Sequence, residues 1–420
     1  MPITQQELGR RLKAAREAIG LTQDDVAARL DLSRSAVAQM ELGNRAVSSL
    51  ELDRLAHLYG RDIRELLSDQ FREEDALVAL FRADAALASH AETADTLRHC
   101  MNLGRELTNL ERLVGLDRDT TAAVRYSLSA PRSKWEAIRQ GAGVADHERR
   151  RLGIGDAPVP NIIELLEAQG VRTALVGLPG DVSGLTLIDR EVGPFVAVNE
   201  REHLLRRNFS FAHEYAHVLL DRDAQGMISR DSHHNDLAEV RANSFAANLL
   251  MPETGVRQFL ATLGKGSDSR LFAEAPTETG AISIEARGNA ASLDVQLHDV
   301  VLLAHQFGVS RIVALFRLRN LKIIGERDFQ TLAAQDQAGK GRELARLLDL
   351  PEPDHQAARQ LFRHRFLSLA LEAFRREAIT RSKFAELAAT VLDAAEAERL
   401  LDDFTADDPH GPADLLLPAD

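Results

Sequence analysis

The sequence predicts a mostly α-helical protein with one small antiparallel sheet, and three observations support this fold class. Of the 420 residues, 45% are hydrophobic but only 5% are aromatic, and a mixture of mostly Ala, Leu and Val favours helices over sheets. Helical periodicity dominates the first 118 residues and returns at residue 204. Strand-like runs are short and lie together at 171–176, 184–188 and 195–198. We therefore expect a helical N-terminal head, a central α+β domain and a helical C-terminal region.

The composition excludes several classes of protein. The chain carries 51 Lys and Arg against 64 Asp and Glu, a net charge of −13, so it is not a globally basic nucleic-acid binder. Cys100 has no partner cysteine for an internal disulfide. No apolar run reaches the roughly 18 to 20 residues that span a bilayer, and the N-terminus lacks the apolar core of a signal peptide. We expect a cytoplasmic protein that does not contact a membrane.

Composition shifts along the chain divide it into four segments. These are the head at 1–68, a helical linker and candidate dimerisation region at 69–150, the central domain at 151–325, and a helical region with an acidic tail at 326–420. The Gly- and Pro-rich stretch 153–160 marks the joint before the central domain. Residues 264–292 are rich in Gly, Ser and Thr and indicate an inserted loop or hairpin. Residues 402–420 contain six Asp and no Lys or Arg, which is typical of a solvated tail.

The sharpest chemical signal is the run His213-Glu214-Tyr215-Ala216-His217. On a helix, positions i and i+4 lie on one face, so both imidazoles can reach a single metal ion while Glu214 lies beside it. Glu239 follows in a second helical run, from which its carboxylate could be the third ligand. His233 and His234 are alternative third ligands from a probable loop. Two core histidines spaced by four would produce the same pattern without a metal.

Three protein ligands leave one position of a zinc ion open to water. The ion lowers the pKa of that water toward 7 and polarises a substrate carbonyl, so Glu214 can act as the general base and then protonate the leaving amine. This chemistry is peptide hydrolysis. The ligand set favours Zn²⁺ but leaves Mn²⁺ or iron open.

Residues 151–325 resemble the ImmA/IrrE family of metallopeptidases. The resemblance is carried by RRNFSFAHEYAHVLL at 206–220, EVRANSFAANLLMP at 239–252 and LAHQFGVSRIVALFRL at 303–318. It implies a gluzincin-like α+β domain with a small sheet on the active-site helix, and zinc with Glu239 as third ligand. Members of that family are typically regulatory and cut a repressor of the helix-turn-helix kind. The 264–292 insertion and the helical segment before residue 150 depart from the family pattern.

Residues 21–59 have the spacing of two short helices joined by a tight turn. Helices are predicted near 5–18, 22–30, 33–42 and 49–59, with glycines at the joints. Residues 4–67 resemble the phage-repressor (XRE) family, in which the second helix enters the major groove of DNA. The resemblance places Ser33, Arg34, Ser35 and Gln39 at base edges and Gln23 and Arg45 at phosphates. Arg34 would then read guanine and Gln39 adenine.

Other interpretations of these helices remain open. Residues 1–66 carry ten basic and ten acidic side chains, so the head could be a protein-interaction module. An apolar stripe could pair two chains through Leu103, Leu107, Leu110 and Val114. Because the stripe is shorter than three heptads, packing on the chain's own core is the favoured interpretation. We expect a homodimer, because paired heads would bind two half-sites about 34 Å apart. Residues 303–318 echo the head and are either a second helix-turn-helix or, as favoured, a cover on the central core.

Taken together, these motifs predict a DNA-binding transcription regulator with a zinc metallopeptidase domain. Its substrate would be a helix-turn-helix repressor protein or the chain itself at the 153–160 joint, in a stress response for which single-stranded DNA is a candidate effector. The alternative is a non-proteolytic DNA-binding repressor whose metal site is structural or sensory. An antitoxin-like partner that binds another protein through the head is a third interpretation. Glu214 favours the enzyme, because a structural or sensory site has no use for a general base.

Overall fold

The structure, a computed structural model, describes most of the chain between residues 3 and 399. The residues outside the description are 1–2, 60, 62, 68–70, 72–75, 84–90, 117–123, 180, 190–191, 222–225, 231–234, 266–269, 278–279, 288–293, 352–356, 393–394, 397–398 and 400–420. Three predictions therefore fall outside the described residues: the acidic tail, the joint glycine Gly60, and the alternative ligands His233 and His234.

Helices dominate the described residues, as predicted. The head contains α1 (Gln5–Ala18), α2 (Gln23–Leu30), α3 (Arg34–Glu41), α4 (Ser49–Tyr59) and α5 (Ile63–Leu67), and the linker α6 (Ala76–Ala83), α7 (Ala91–Leu113) and α8 (Lys134–Arg151). The central elements are α9 (Ile162–Ala168), β1 (Arg172–Val176), β2 (Val182–Asp189), β3 (Gly193–Asn199), α10 (Leu204–Leu220), β4 (Gly226–Arg230), α11 (Leu237–Leu250), α12 (Glu253–Thr262), β5 (Arg270–Thr277), β6 (Gly280–Arg287), α13 (Leu297–Gln306) and α14 (Arg311–Asn320). The C-terminal helices are α15 (Glu326–Gln337), α16 (Lys340–Leu347), α17 (Ala357–Arg375) and α18 (Arg381–Ala389).

The head helices begin and end where their capping residues predict. The Thr22 side chain accepts a hydrogen bond from the Asp25 amide and the Asp25 carboxylate accepts one from the Thr22 amide, so this pair caps α2. Ser33 caps α3 through one hydrogen bond, which its side chain accepts from the Ala36 amide. Gly43 adopts φ +72°, and a Cβ there would lie 2.6 Å from the Cα of Gln6, so only glycine fits where α3 ends.

The sheet is small, as predicted, but it is mixed and not wholly antiparallel. Its strand order is β1-β3-β2-β4, with β2 antiparallel to both of its neighbours and β1 parallel to β3. Because β4 occupies the free edge of β2, β1 joins the far edge of β3. The five-residue strand β4 was not predicted, since GMISR has no clear alternation of polar and apolar residues.

Helices cover both faces of the sheet. On one face, α10 packs its buried side chains, among them Phe211 and Tyr215, against Val196 and Val198 of β3. On the other face, α6 and α7 contribute Leu80 and Leu97, which pack in one core with β2 and β3. Helix α10 is therefore held between the sheet and the rest of the central domain.

Helix α8 is part of the core of the central domain. It packs closely along α11, and a Cβ at Gly141 would collide with the carbonyl oxygen of Arg241. The turn at 153–160 that follows is held by Arg149, whose guanidinium donates to the carbonyls of Gly155 and Ala157. A boundary at residue 151 leaves this helix outside the core in which it packs.

The apolar stripe of α7 packs on the chain's own C-terminal helices. Leu107, Leu110 and Val114 share a core with Phe366 of α17 and Phe384 of α18. This is the favoured interpretation of the stripe. Pairing of two chains stays a prediction.

The remaining elements answer three further questions from the sequence. The 264–292 insertion contains the antiparallel hairpin β5–β6. Ala314, Leu315 and Leu318 of α14 are buried in the central core, as the favoured covering role requires, although Ile312 and Phe316 are exposed.

No single helix among the described residues is long and apolar enough to cross a bilayer. The pair α13 and α14 passes that test only together and is bent by 103°.

Candidate metal centre and DNA-binding helices

Helices α10 and α11 bring together the three residues predicted to bind a metal ion. His213 Nε2 lies 3.0 Å from Glu239 Oε2, and His217 Nε2 lies 3.4 Å from Glu239 Oε1. The two imidazole Nε2 atoms are 3.2 Å apart. All three side chains are buried, and their ligand atoms lie within 4.8 Å of one another. One ion can therefore contact all three.

Small residues allow the two helices to approach. Ala212 and Ala216 of α10 and Ala242 and Ala246 of α11 are all buried in the shared core. Ala242 and Asn243 both follow Glu239 by about one helical turn and are small enough for close helix packing. Asn243 has a second role, because its side chain reaches His213.

Hydrogen bonds at the Nδ1 atoms, on the side of each ring away from Glu239, fix the orientation of both histidines. His213 Nδ1 lies 3.0 Å from Asn243 Oδ1, and His217 Nδ1 lies 2.8 Å from Asp221 Oδ2. Arg241 donates to the other oxygen of Asp221. An acceptor at Nδ1 keeps the proton there and leaves the Nε2 lone pair for a metal. The roles of Asn243, Asp221 and Arg241 do not follow from the sequence, where the one available signal is that Asp221 follows His217 by one helical turn.

Glu214 is fully buried beside the ligands. Its Oε2 accepts a hydrogen bond of 2.6 Å from Thr186 Oγ1 on β2. Among the described residues, none donates a hydrogen bond to Oε1. A Cβ at Gly184, on the same strand, would lie 2.6 Å from this oxygen, so glycine makes room for it. One oxygen of the carboxylate is thus held, and the other is buried without a donor among the described residues.

The electrostatics of the cluster favour a cation. Burial lowers the pKa of His217, but hydrogen bonds to Asp221 and Glu239 outweigh this effect and raise it to about 10. Burial raises the pKa of Glu239, but hydrogen bonds from His213 and His217 hold it well below its usual range. The carboxylate is therefore ionised, and a metal ion would displace the additional proton that His217 otherwise carries.

The donor set fits a catalytic zinc ion. Two imidazole nitrogens and one carboxylate are the ligands of many open zinc sites, and a catalytic site of this kind also needs a general base beside the ion, where Glu214 lies. The same nitrogen and oxygen donors also accept Mn²⁺.

The six residues predicted to contact DNA lie on or beside α2 and α3. Arg34 is exposed and pairs with Asp24 at 3.4 Å, and Gln39 is exposed and accepts from Asn44 at 3.0 Å. Ser33 and Ser35 share a 3.0 Å hydrogen bond at the start of α3.

The two residues predicted to contact phosphates bind acidic side chains of the head. Gln23 donates to Glu41 at 2.8 Å, and Arg45 Nη2 lies 2.6 Å from Glu51 Oε1.

Comparison with known proteins identifies both regions. Residues 12–66 match the family model of a helix-turn-helix domain, and residues 166–319 match that of the IrrE N-terminal-like domain of peptidase family M78. No curated protein matches the chain. The chain joins an XRE-type helix-turn-helix domain to a domain of the ImmA/IrrE metallopeptidase family, as its sequence predicts.

Proposed function

We propose that this protein is a DNA-binding transcription regulator that hydrolyses a peptide bond in a repressor-type protein at a zinc centre. The main support for this proposal is the convergence of His213, His217 and Glu239. Glu214 is buried beside them and accepts a hydrogen bond from Thr186. The two matched domains support a regulator with a peptidase-family domain. The zinc ion, the cleavage and its substrate belong to the proposal.

In the proposed reaction, three residues bind the metal ion and a fourth transfers the proton. Zinc bound by His213, His217 and Glu239 would supply a Lewis acid for the substrate carbonyl and lower the pKa of the attacking water. Glu214 accepts the proton of that water at Oε1 while Thr186 holds Oε2. The same carboxyl group then returns the proton to the leaving amine nitrogen.

The environment of Glu214 supports an enzyme over a structural or sensory metal site. Burying a carboxylate oxygen without a donor costs on the order of 1 to 3 kcal/mol or more. A site that only binds metal gains nothing from that cost. A general base needs this free oxygen, because it must accept a proton during each turnover.

We propose cleavage in trans over self-cleavage at the 153–160 joint. Arg149 binds three carbonyls, those of Gly155, Ala157 and Leu249, and so fixes this turn against α11. Binding of the head to an operator would raise the local concentration of a repressor bound beside it, so a modest peptidase could act selectively. The stress response and single-stranded DNA as effector stay predictions.

Comparing protein N-termini in cells that carry wild type or Glu214→Gln tests the proposal. We expect at least one new N-terminus, within a helix-turn-helix protein, that is present only with the wild type. Glu164→Gln, an exposed position on α9, is the matched control and should cleave as the wild type does. Cleavage that persists in Glu214→Gln, or vigorous digestion of casein by the purified chain, would contradict the mechanism.

A further inference from the structure

A cavity of about 180 Å³ lies apart from the metal centre, between the sheet and the linker and C-terminal helices. Its walls are mainly apolar, with Leu103 from α7, Phe195 from β3, Phe211 from α10 and Phe362 from α17. An apolar cavity of about 150 Å³ is large enough to bind benzene. The space therefore fits one aromatic ring with a few further atoms.

One buried cationic side chain, Arg172 on β1, also lines this cavity. The residue is 2% exposed, and its Nη1 and Nη2 atoms bind the carboxylate of Glu111 at 3.2 and 2.6 Å. Nη2 also donates to Thr108 at 3.2 Å. Among the described residues, none accepts a hydrogen bond from Arg172 Nε. A buried donor without an acceptor is costly, so a ligand that supplies an acceptor would gain affinity.

We propose that this cavity binds a neutral single-ring aromatic molecule that carries one hydrogen-bond acceptor. The ring would contact the three phenylalanines, and the acceptor would face Arg172. The ligand is neutral because Arg172 is already paired with Glu111, which also binds the partly exposed Arg365 at 2.6 Å. A carboxylate would compete with Glu111 for these cations and would itself be buried, which is unfavourable.

The position of the cavity connects it to both matched domains. Phe211 precedes the metal-binding His213 by two residues on α10. Helix α7, which forms another wall, contacts the head where Asp95 pairs with Arg29 at 3.1 Å and Arg98 donates to the Ile19 carbonyl at 3.0 Å. We infer that the ligand is an effector of the peptidase site. This regulatory part rests on the proposed function, whereas the binding part does not.

Titration of the full chain with three matched probes tests the binding. Acetophenone should bind with one site per chain and about tenfold more tightly than ethylbenzene, which has the same shape without the acceptor. Benzoate should not bind. Equal affinity for acetophenone and ethylbenzene, or no binding of acetophenone, overturns the proposal.

Two variants locate the ligand. Ala174 lines the cavity, so Ala174→Leu should fill it and abolish binding, whereas Ala334→Leu, at an exposed position of α15, should bind as the wild type does. Arg172→Met should lower the affinity for acetophenone to that for ethylbenzene and leave ethylbenzene unaffected. Undiminished acetophenone binding in Ala174→Leu overturns the assignment even if Arg172→Met fails to fold.

Hydrogen exchange distinguishes the regulatory part from the proposed function. Acetophenone should slow amide exchange in residues 209–217 of α10, a readout that needs no cleavage. Unchanged exchange there, with binding intact, overturns the effector role. Absence of cleavage with slowed exchange contradicts the proposed peptidase function and leaves the ligand site standing.

Discussion

At the level of single residues, the proposed hydrolysis depends on the two oxygens of Glu214, which have different environments. Thr186 fixes Oε2, and Gly184 leaves space at Oε1. Neither residue could be found from the sequence, because β2 pairs its residues with α10 only in the folded chain. The two histidine ligands were predictable, since spacing by four on one helix is a local property. Glu239 lies on a different helix, so the spacing alone left His233 and His234 as alternatives.

Replacement of Thr186 with valine should remove the orienting hydrogen bond at almost constant volume. We expect kcat to fall about 10- to 100-fold, in keeping with a misplaced general base, with KM and zinc content unchanged. Steady-state kinetics on the identified substrate measure this. Thr331→Val, at an exposed position of α15, is the control. A fall in zinc content instead of kcat would show that Thr186 supports the metal site.

Glu148 on α8 should give the protein a specific dependence on pH. Burial favours its neutral form, but hydrogen bonds from Arg151, Tyr126 and Tyr215 outweigh burial and lower its pKa. A lowered folded-state pKa stabilises the protein above the unfolded value of 4.5, and this contribution is lost as pH falls through the folded-state pKa.

We therefore expect Glu148→Gln to lower the free energy of unfolding at pH 7 by about 1 to 3 kcal/mol. The difference from wild type should shrink below pH 4.5. Urea unfolding at several pH values measures this, with the exposed Glu164→Gln as control. A difference that is constant down to pH 3 would contradict the assignment.

At the level of helices and strands, capping residues and periodicity in the sequence predicted where helices lie. They did not predict which strands pair in the sheet. Capping residues such as Thr22 and Ser33 specify where a helix begins, so the first four head helices were predicted within a residue or two, whereas the five-residue helix α5 was not predicted. The parallel pairing of β1 with β3 depends on which strand edge is free after β4 joins β2. Likewise, the Gly- and Pro-rich turn after α8 indicated a boundary, although α8 packs on α11 across it.

The stripe on α7 gives a prediction that separates folding from association. Leu110 is buried against α17 and α18, so Leu110→Ala should destabilise the chain by about 2 to 5 kcal/mol. Its oligomeric state should not change. Thermal unfolding and sedimentation measure the two effects, with the exposed Leu347→Ala as control. Dissociation of a dimer without loss of stability would mean that the stripe pairs two chains.

At the scale of the whole molecule, the head should direct the peptidase to DNA. Arg34 is exposed at the start of α3, so Arg34→Ala should cost roughly 1 to 3 kcal/mol of binding and relax the preference at one base pair. Arg45→Ala should weaken binding to all sequences alike. Selection from a pool of duplexes, followed by affinity measurement at fixed salt, reports both. A head without sequence preference at low salt would be a protein-interaction module.

The metal content of the purified chain is the decisive measurement for the proposed zinc site of His213, His217 and Glu239. Elemental analysis after purification without added metal should find one zinc ion per chain in the wild type and in Glu214→Gln, because Glu214 is not a ligand. His217→Ala and Glu239→Gln should hold far less zinc, since each removes one of three ligands. Equal zinc in all four proteins would contradict the site, and with it the peptidase chemistry proposed for this chain.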